Sequence, residues 1–422
     1  MPADQDLFLK TGCRRRLVRF GVLCVMLVSA GYLQAADLTL AQAIDGAFAR
    51  NPELAAVRQD LGIADGERQQ AGLMPNPELS WEVEDTRRAT RTTTVMLSQA
   101  LELGGKRGAR IDVAERGQDT ARLELERRTH ELRATVTQAF YAAARAQTAV
   151  ELAEQSRRLA ERGLHVADGR VRAGQVSPIE ATRAQVQLAE TELQLRKART
   201  QLADSQRQLA RVTGTLEHEG QRLGFADLAP PSAPAAARLL AVLEQVPAMR
   251  LAEAQIRQRE ASLGSERAQR IPNLTVSLGS QYSREERERI NVVGLSVPLP
   301  LFDRNQGNVL AASRRADQAR DLRNAVELDL RTQTRSALDQ WNNAASEAAS
   351  FTGVILPAAQ QAVDTATRGF EVGKFGFIDV LDAQRTLIDA RSRYLDALAS
   401  ATEAQVAIER IYGDFGRVAT HP

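Results

Sequence analysis

The chain has 422 residues, of which 26% are charged and 4% are aromatic, and its formal net charge is +2 at pH 7. The 55 basic residues are nearly balanced by 53 acidic ones. This balance argues against a nucleic-acid partner, which would require a basic face. Alanine, leucine, glutamine, arginine and glutamate dominate the composition, which favours long helices over a mixed globular core.

The first 36 residues are typical of a secretory signal peptide. An arginine cluster ending at Arg19 precedes an apolar run from Phe20 to Val28, and small residues follow up to Ala36. The apolar run is too short to span a bilayer, although a short membrane anchor is the alternative. Both cysteines, Cys13 and Cys24, lie in this segment, so the mature chain is predicted to have no disulfide and no catalytic thiol.

The rest of the chain is predicted to contain one structural unit twice. When Gly174 is aligned with Gly373, the correspondence continues without a gap to Gly214 and Gly413. Upstream, "MPNPELSWEVED" pairs with "IPNLTVSLGSQY" in the same way. This repetition of the same sequence pattern in two parts of the chain indicates an internal duplication. The predicted divisions are a signal peptide at 1–36, a first repeat at 37–225, a Pro/Ala-rich linker at 226–237, a second repeat at 238–413 and a tail at 414–422.

Each repeat is predicted to contain a pair of strands after a short helix. "LSWEVED" and "LTVSLGSQY" alternate apolar and polar residues, and their partner strands are predicted near 92–103 and 290–301. Each predicted strand has about ten residues, the length that crosses a bilayer in a tilted barrel. The apolar positions, predicted to face lipid, are Leu79, Trp81, Val83, Leu274, Val276 and Leu278. The opposite face carries Glu82 and Glu84, which are predicted to face a water-filled lumen.

Four strands cannot close a barrel alone, because the smallest outer-membrane barrels have about eight and open edges are not tolerated in lipid. Either the four strands lie on a soluble core or several chains share one barrel. Three chains would supply about twelve strands, with four long helices from each chain continuing as a tube.

A single long helix is predicted from about Lys106 to Val171. Its sequence keeps a largely alanine seam in alternating steps of four and three residues, interrupted by Arg157. The corresponding helix of the second repeat contains Pro357, which predicts a kink. In the return helix of the first repeat a leucine recurs every seventh residue, at Leu188, Leu195, Leu202 and Leu209. Such a repeat is typical of helices that supercoil around one another, and by itself it also suits a soluble periplasmic coiled-coil scaffold.

The two long helices of each repeat are joined by a glycine turn. "AGQVSPIEATRAQ" begins at Ala173 and "VGKFGFIDVLDAQ" begins at Val372. In the first turn, Ser177, Pro178 and Glu180 predict a capping box with proline at the first helical position.

Two acidic residues distinguish the second turn. Asp379 and Asp382 are three residues apart at the start of a helix, so they share one helix face and suit its positive end. The corresponding residues of the first repeat are Glu180 and Arg183, so the acid pair belongs to the second repeat alone.

Taken together, the signal peptide, the duplication, the strand pairs and the two turns resemble the TolC-type outer-membrane efflux proteins. Within that family, "MPNPELSWEVED", "LELGGKRGAR" and "VPLPLFDRNQGN" are similar to the CzcC-like branch, which serves tripartite heavy-metal efflux. The resemblance implies an α+β membrane protein: a homotrimer whose 12-stranded β-barrel, with four strands per chain, lies in the outer membrane and continues as a long α-helical coiled-coil tunnel in the periplasm.

The resemblance also implies partners and site residues. The partners would be a periplasmic membrane-fusion adaptor, an inner-membrane RND pump and outer-membrane lipid. Asp379 and Asp382 would line the channel entrance at the tip of the tunnel. The adaptor would dock on the two turns, at Ala173, Gly174, Gln175, Val372, Gly373 and Lys374.

The sequence predicts neither an enzyme nor a cofactor. The four histidines are scattered without the spacing of metal ligands, so no resident metal site is predicted. The resemblance implies a passive exit duct for divalent heavy-metal cations, gated at its periplasmic tip. The alternatives are an outer-membrane duct for drug efflux or type I protein secretion, and the soluble scaffold.

Overall fold

The computed structural model describes residues 37–215, 222–224 and 232–414. The predicted signal peptide, residues 226–231 of the predicted linker and residues 415–422 of the tail lie outside these ranges. The last two residues of the predicted linker are helical, because a short helix begins at Ala236.

The described chain contains long helices and one small sheet. Five elements precede the first turn in this order: α1 (Leu40–Arg50), α2 (Pro52–Ala71), β1 (Glu78–Glu84), β2 (Thr92–Leu101) and α3 (Lys106–Arg172). Between that turn and the next strand pair lie α4 (Pro178–Thr213), α5 (Ala236–Ala241), a 3-10 turn at Leu243–Gln245 and α6 (Pro247–Ala268). The remaining elements are β3 (Leu274–Ser283), β4 (Glu288–Ser296), α7 (Gln306–Ser350), α8 (Leu356–Glu371) and α9 (Phe377–Tyr412).

The four strands form one antiparallel sheet in the order β1-β2-β3-β4. The central pairing, between β2 and β3, joins the two repeats, and it places Leu97 opposite Leu278. Leu97 is also opposite Leu79, and Leu278 is opposite Val293, so an apolar row crosses all four strands. In the part of the chain that the structure describes, β1 and β4 are the edges of this sheet, and each leaves one row of backbone groups unpaired.

The partner strands end earlier than the sequence pattern predicts. β2 ends at Leu101 rather than near residue 103, and β4 ends at Ser296 rather than near Leu301. The physical reason in β4 is the pair Pro298 and Pro300, which have no backbone N–H to donate to a neighbouring strand.

The helices form the rest of the molecule, and α3 is the longest of them. It has 67 residues, which corresponds to roughly 100 Å at 1.5 Å per residue. It packs against α4 along one side and against α6 and α9 on others, so it joins the two repeats. None of the helices within the described ranges has a segment that is both long and apolar enough to cross a membrane.

The helix predicted to be kinked at Pro357 is interrupted just before that proline. A π-helical turn at Phe351–Ile355 separates α7 from α8, and Pro357 is the second residue of α8. Because proline cannot donate to the carbonyl four residues earlier, the regular helical ladder is broken there. Beyond this break α8 packs against α9, around a core that includes Val363 and Leu398.

Candidate functional site

Both glycine turns lie at the end of the helical body, where α3 meets α4 and α8 meets α9. Gly174 and Gly373 have positive φ angles of 68° and 79°, which glycine adopts without steric cost. In the first turn the N–H of Gln175 donates to the Arg170 carbonyl at 2.9 Å. In the second, the N–H of Lys374 donates to the Gly369 carbonyl at 2.8 Å. The two helices that lead into the turns, α3 and α8, therefore end with the same Schellman motif.

The six residues predicted to dock an adaptor are all exposed at these two turns: Ala173, Gly174, Gln175, Val372, Gly373 and Lys374. They form two neighbouring exposed turns at one end of the protomer. The structure thus brings together residues that are about two hundred positions apart in the sequence.

A small apolar cluster behind the turns holds the two hairpins together. Phe377, the first residue of α9, is 2% exposed, and its ring centroid lies 5.4 Å from that of Phe370 on α8. The Phe377 ring also lies beside Gly163 of α3. Ala184 of α4 belongs to the same cluster, so all four helices of the tip meet there.

Arg170 makes a second link between the hairpins. Its Nη1 donates to the Phe370 carbonyl at 3.1 Å, and its guanidinium carbon lies 4.6 Å from the centroid of the Phe370 ring. One cation of α3 thereby adds a second donor, beside the Gly373 N–H, to a carbonyl at the C-terminal end of α8, where a positive charge is favourable. Sequence reasoning missed this residue. The contact joins different repeats, and no local pattern marks it.

The predicted entrance acids lie side by side on the exposed surface of α9. The Asp379 carboxylate accepts from the N–H of Gly376 at 2.9 Å, so it also satisfies a free donor at the start of its own helix. Asp382 lies one turn further along. Both acids line a shallow groove between α9 and α8, next to Phe375.

Asp382 also lines a second groove, between α9 and α4. The opposite wall of that groove carries Arg183, and Arg385 follows Asp382 on α9. Arg183 is the residue that the duplication aligns with Asp382. The two equivalent positions thus face one groove with opposite charges.

The capping box predicted at the first turn is wrong in its side-chain contacts. Ser177 is the N-cap and Pro178 the first helical residue, as expected, but the Ser177 hydroxyl accepts from the N–H of Ile179 at 3.5 Å. The N–H of Glu180 donates instead to the Ser177 carbonyl at 3.0 Å. The reciprocal carboxylate contact is made in the second repeat, by Asp379.

At the opposite end of the molecule, the sheet separates its apolar and polar side chains by face. The strand register places the six predicted lipid-facing residues, Leu79, Trp81, Val83, Leu274, Val276 and Leu278, on one face. Trp81 on this face is 69% exposed in the protomer. Glu82 and Glu84 lie on the other face, where Glu82 is opposite Thr94 and Ser98 and Ser277 form a hydrogen bond of 3.1 Å.

A buried carboxyl group lies near the end of α9, away from both the tip and the sheet. Glu409 is 8% exposed, and its Oε1 accepts from Nε2 of Gln405 at 2.9 Å. Burial raises the pKa of Glu409, and hydrogen bonds from Gln405 and Thr137 oppose that shift only in part. Among the described residues, no group of three or more histidine, cysteine, aspartate or glutamate side chains is placed to hold a metal ion.

Comparison with known proteins matches both repeats to one family. The family model described as "Outer membrane efflux protein" matches residues 43–215 and 240–414. The chain is 40% identical to the cobalt-zinc-cadmium resistance protein CzcC of Cupriavidus metallidurans, over 90% of this chain and 91% of that protein. It is 26% identical to the nickel-cobalt-cadmium resistance protein NccC of Alcaligenes xylosoxydans, over 75% of this chain and 74% of that protein.

Solved structures match at the level of the fold. The channel CusC superposes with a TM-score of 0.76 and 17% identity, and the match covers 90% of this chain and 93% of that one. The outer-membrane channel OprN gives a TM-score of 0.73 at 18% identity, covering 89% of each chain. The family resemblance and the fold class predicted from the sequence are both confirmed.

Proposed function

Because the chain belongs to the outer membrane efflux proteins, we propose that it is the exit duct of a tripartite efflux system that exports divalent heavy-metal cations. The observation that carries the metal assignment is the 40% identity, over nearly the whole chain, to a protein named for cobalt, zinc and cadmium resistance. Membership of this family places the protein in the outer membrane and sets aside the soluble scaffold.

The proposal includes a homotrimer. The protomer sheet has two open edges and one apolar face on which large side chains such as Trp81 and Val293 are exposed. Pairing of β4 in one protomer with β1 in the next would satisfy both edges, and three copies would close a barrel of about twelve strands. Lipid would then cover the apolar face, and Glu82 and Glu84 would line the lumen.

The same symmetry gives the acid pair a function. Three copies of Asp379 and Asp382 would bring about six carboxylates to one ring at the tip, and such a ring attracts cations. The exposed turns at Gly174 and Gly373 would dock the hairpin of a periplasmic adaptor. An inner-membrane pump would supply the energy, so the duct itself needs no catalytic group.

The entrance ring is tested by the double substitution Asp379→Asn with Asp382→Asn, studied as single channels in planar bilayers. Asparagine retains an oxygen that can accept from the Gly376 N–H, so the start of α9 is preserved. We expect the preference for cations over anions to fall while the channel still inserts. The matched control is Asp389→Asn on the same helix, because Asp389 is exposed and paired with Arg393 at 3.0 Å. Equal ion selectivity in the double variant, the control and the parent would refute the ring.

A further inference from the structure

An apolar surface continues past the end of the sheet, on the side where the strands lead into the helices. β4 ends at Ser296, yet the next six residues, Val297–Phe302, read "VPLPLF". Leu299 is 76% exposed, Leu301 65% and Phe302 92%. Large apolar side chains this exposed, side by side, mark a surface that something apolar covers.

The apolar alternation of β4 continues in the sequence of the segment Val297–Phe302, although the segment is not a strand. Val293 and Leu295, which lie in the apolar rows of β4, are followed at every second position by three further apolar residues, Val297, Leu299 and Leu301. The intervening Pro298 and Pro300 cannot donate to a neighbouring strand. The segment closes with a tight turn in which the Leu301 N–H donates to the Leu299 carbonyl at 2.9 Å.

Other exposed apolar residues lie at the same end of the sheet. Met74 precedes β1 and is 68% exposed, and Ile271 precedes β3 and is 46% exposed. Ile271 lies against Gly104, which follows β2. Asn305, just after the segment, donates to the Glu266 carbonyl at 2.8 Å, so the segment ends beside the last turns of α6. Both repeats therefore contribute exposed apolar residues at the end of the sheet that lies next to the helices.

The lengths of the edge strands explain why such a surface is needed. β1 has seven residues and β4 has nine. At about 3.4 Å per residue and a tilt of about 40°, they would span roughly 18 and 23 Å, less than the apolar band of about 25 Å on outer-membrane barrels. At the end of the sheet nearest the helices, β1 and β4 are shorter than the central strands. β2 extends three residues beyond its pairing with Glu78 of β1, and β3 begins one residue before its pairing with Ser296 of β4.

We propose that Val297–Phe302 forms a lipid-embedded collar: three copies, one from each protomer, lie in the periplasmic leaflet of the outer membrane and extend its apolar contact below the strands. The collar makes up the shortfall of the edge strands, which would otherwise require the bilayer to thin. Asp303 and Arg304 follow Phe302 directly and are exposed, so the collar ends in charged side chains at the level of the lipid headgroups. This inference rests on the proposed function, since it requires the sheet to be in a membrane.

Site-directed spin labelling tests the collar, because the mature chain is predicted to contain no cysteine. Phe302→Cys and Leu299→Cys, each with a nitroxide label, would be reconstituted as the full protein in vesicles of phosphatidylethanolamine and phosphatidylglycerol. Power saturation then compares access of oxygen, which concentrates in lipid, with access of a water-soluble nickel chelate. Leu278→Cys on the sheet face is the lipid reference, and Gln361→Cys, exposed on α8, is the water reference.

We expect the labels at residues 299 and 302 to be accessible to oxygen and protected from the nickel chelate, at a shallower depth than the label at 278. Nickel access equal to that at 361 would overturn the collar. Protection from both reagents would also overturn it, because another copy of the chain rather than lipid would then cover the segment. If the label at 278 is itself in water, the sheet is not in the bilayer and the proposed function fails as well, so the two failures are distinguishable.

Discussion

Two glycines of the sheet provide a matched test of how its strands pack. Gly279 in β3 and Gly294 in β4 lie on the same face, because Gly294 is opposite Ser277 and Ser277 is two residues from Gly279. A methyl group added at Gly294 would lie 3.6 Å from Cβ of Ser277, an ordinary contact. The same group at Gly279 would lie 2.6 Å from the carbonyl oxygen of Val95.

The expected difference between Gly279→Ala and Gly294→Ala follows from these distances. Replacing a strand glycine by alanine gains roughly 0.5–1 kcal/mol from the reduced freedom of the unfolded chain. At Gly294 no described atom of the protomer lies close enough to oppose this gain. At Gly279 the obstructing atom is backbone of β2 and cannot rotate away, so overpacking costs about 1–3 kcal/mol. In a closed trimer each strand defect occurs three times, so the cost per assembly would be roughly 3–9 kcal/mol.

Thermal unfolding of the detergent-solubilised protein measures this difference. The sheet signal in circular dichroism and the assembly size from light scattering would be followed together on heating. We expect Gly279→Ala to lose both at a lower temperature than the parent, and Gly294→Ala to match or exceed the parent. Equal melting of the two variants would refute the strand packing described here.

Three further predictions concern the helices. Arg170→Ala removes the hydrogen bond from α3 to the end of α8, so amide hydrogen exchange should become faster at the two turns and stay unchanged in the sheet. Unchanged exchange at the turns would show that this hydrogen bond does not stabilise them. Gly214→Ala should lower the melting temperature more than Gly174→Ala. Both glycines have positive φ, but only at Gly214 would the new methyl group lie 2.6 Å from a backbone carbonyl oxygen, that of Arg50. Equal decreases in melting temperature would contradict this prediction. Because burial raises the pKa of Glu409 above its ordinary value of 4.5, its contribution to stability is full below that value and is lost as the pH rises through the folded pKa. Glu409→Gln should therefore melt progressively higher relative to the parent as the pH rises above 4.5, whereas a difference that does not vary with pH would contradict the burial of an ionisable group.

The parts of the fold that repeat along the chain could be predicted from the sequence. The largely alanine seam predicts a helix from about Lys106 to Val171, and the structure has it at Lys106–Arg172. Long periodic segments are predictable because every turn of the helix repeats the same signal. Alternation in β1 and β3 likewise assigns the two faces of the sheet, which the strand register bears out.

Features that depend on one local contact could not be predicted in this way. The alternation of Val297, Leu299 and Leu301 continues the pattern of β4, but backbone donors missing at two prolines end the strand. In the first turn the sequence fits a capping box, but the Ser177 hydroxyl accepts from the N–H of Ile179 and not from that of Glu180. The Arg170 link needs the two repeats to be packed together before its partner exists. Periodicity predicts which face of a helix or strand is buried, but it does not predict which atoms form a contact.

Metal tolerance of the native bacterium distinguishes a heavy-metal exit duct from a drug efflux duct. The chain's gene would be deleted and complemented with either the parent or the Asp379→Asn, Asp382→Asn variant, and growth would be compared in zinc, cobalt, cadmium, nickel and copper salts and in dyes and antibiotics. We predict that deletion lowers tolerance of at least one divalent metal and leaves dye and antibiotic tolerance unchanged. Only the parent should restore metal tolerance fully. Unchanged metal tolerance with new sensitivity to dyes or antibiotics would contradict this prediction and identify a drug efflux duct instead.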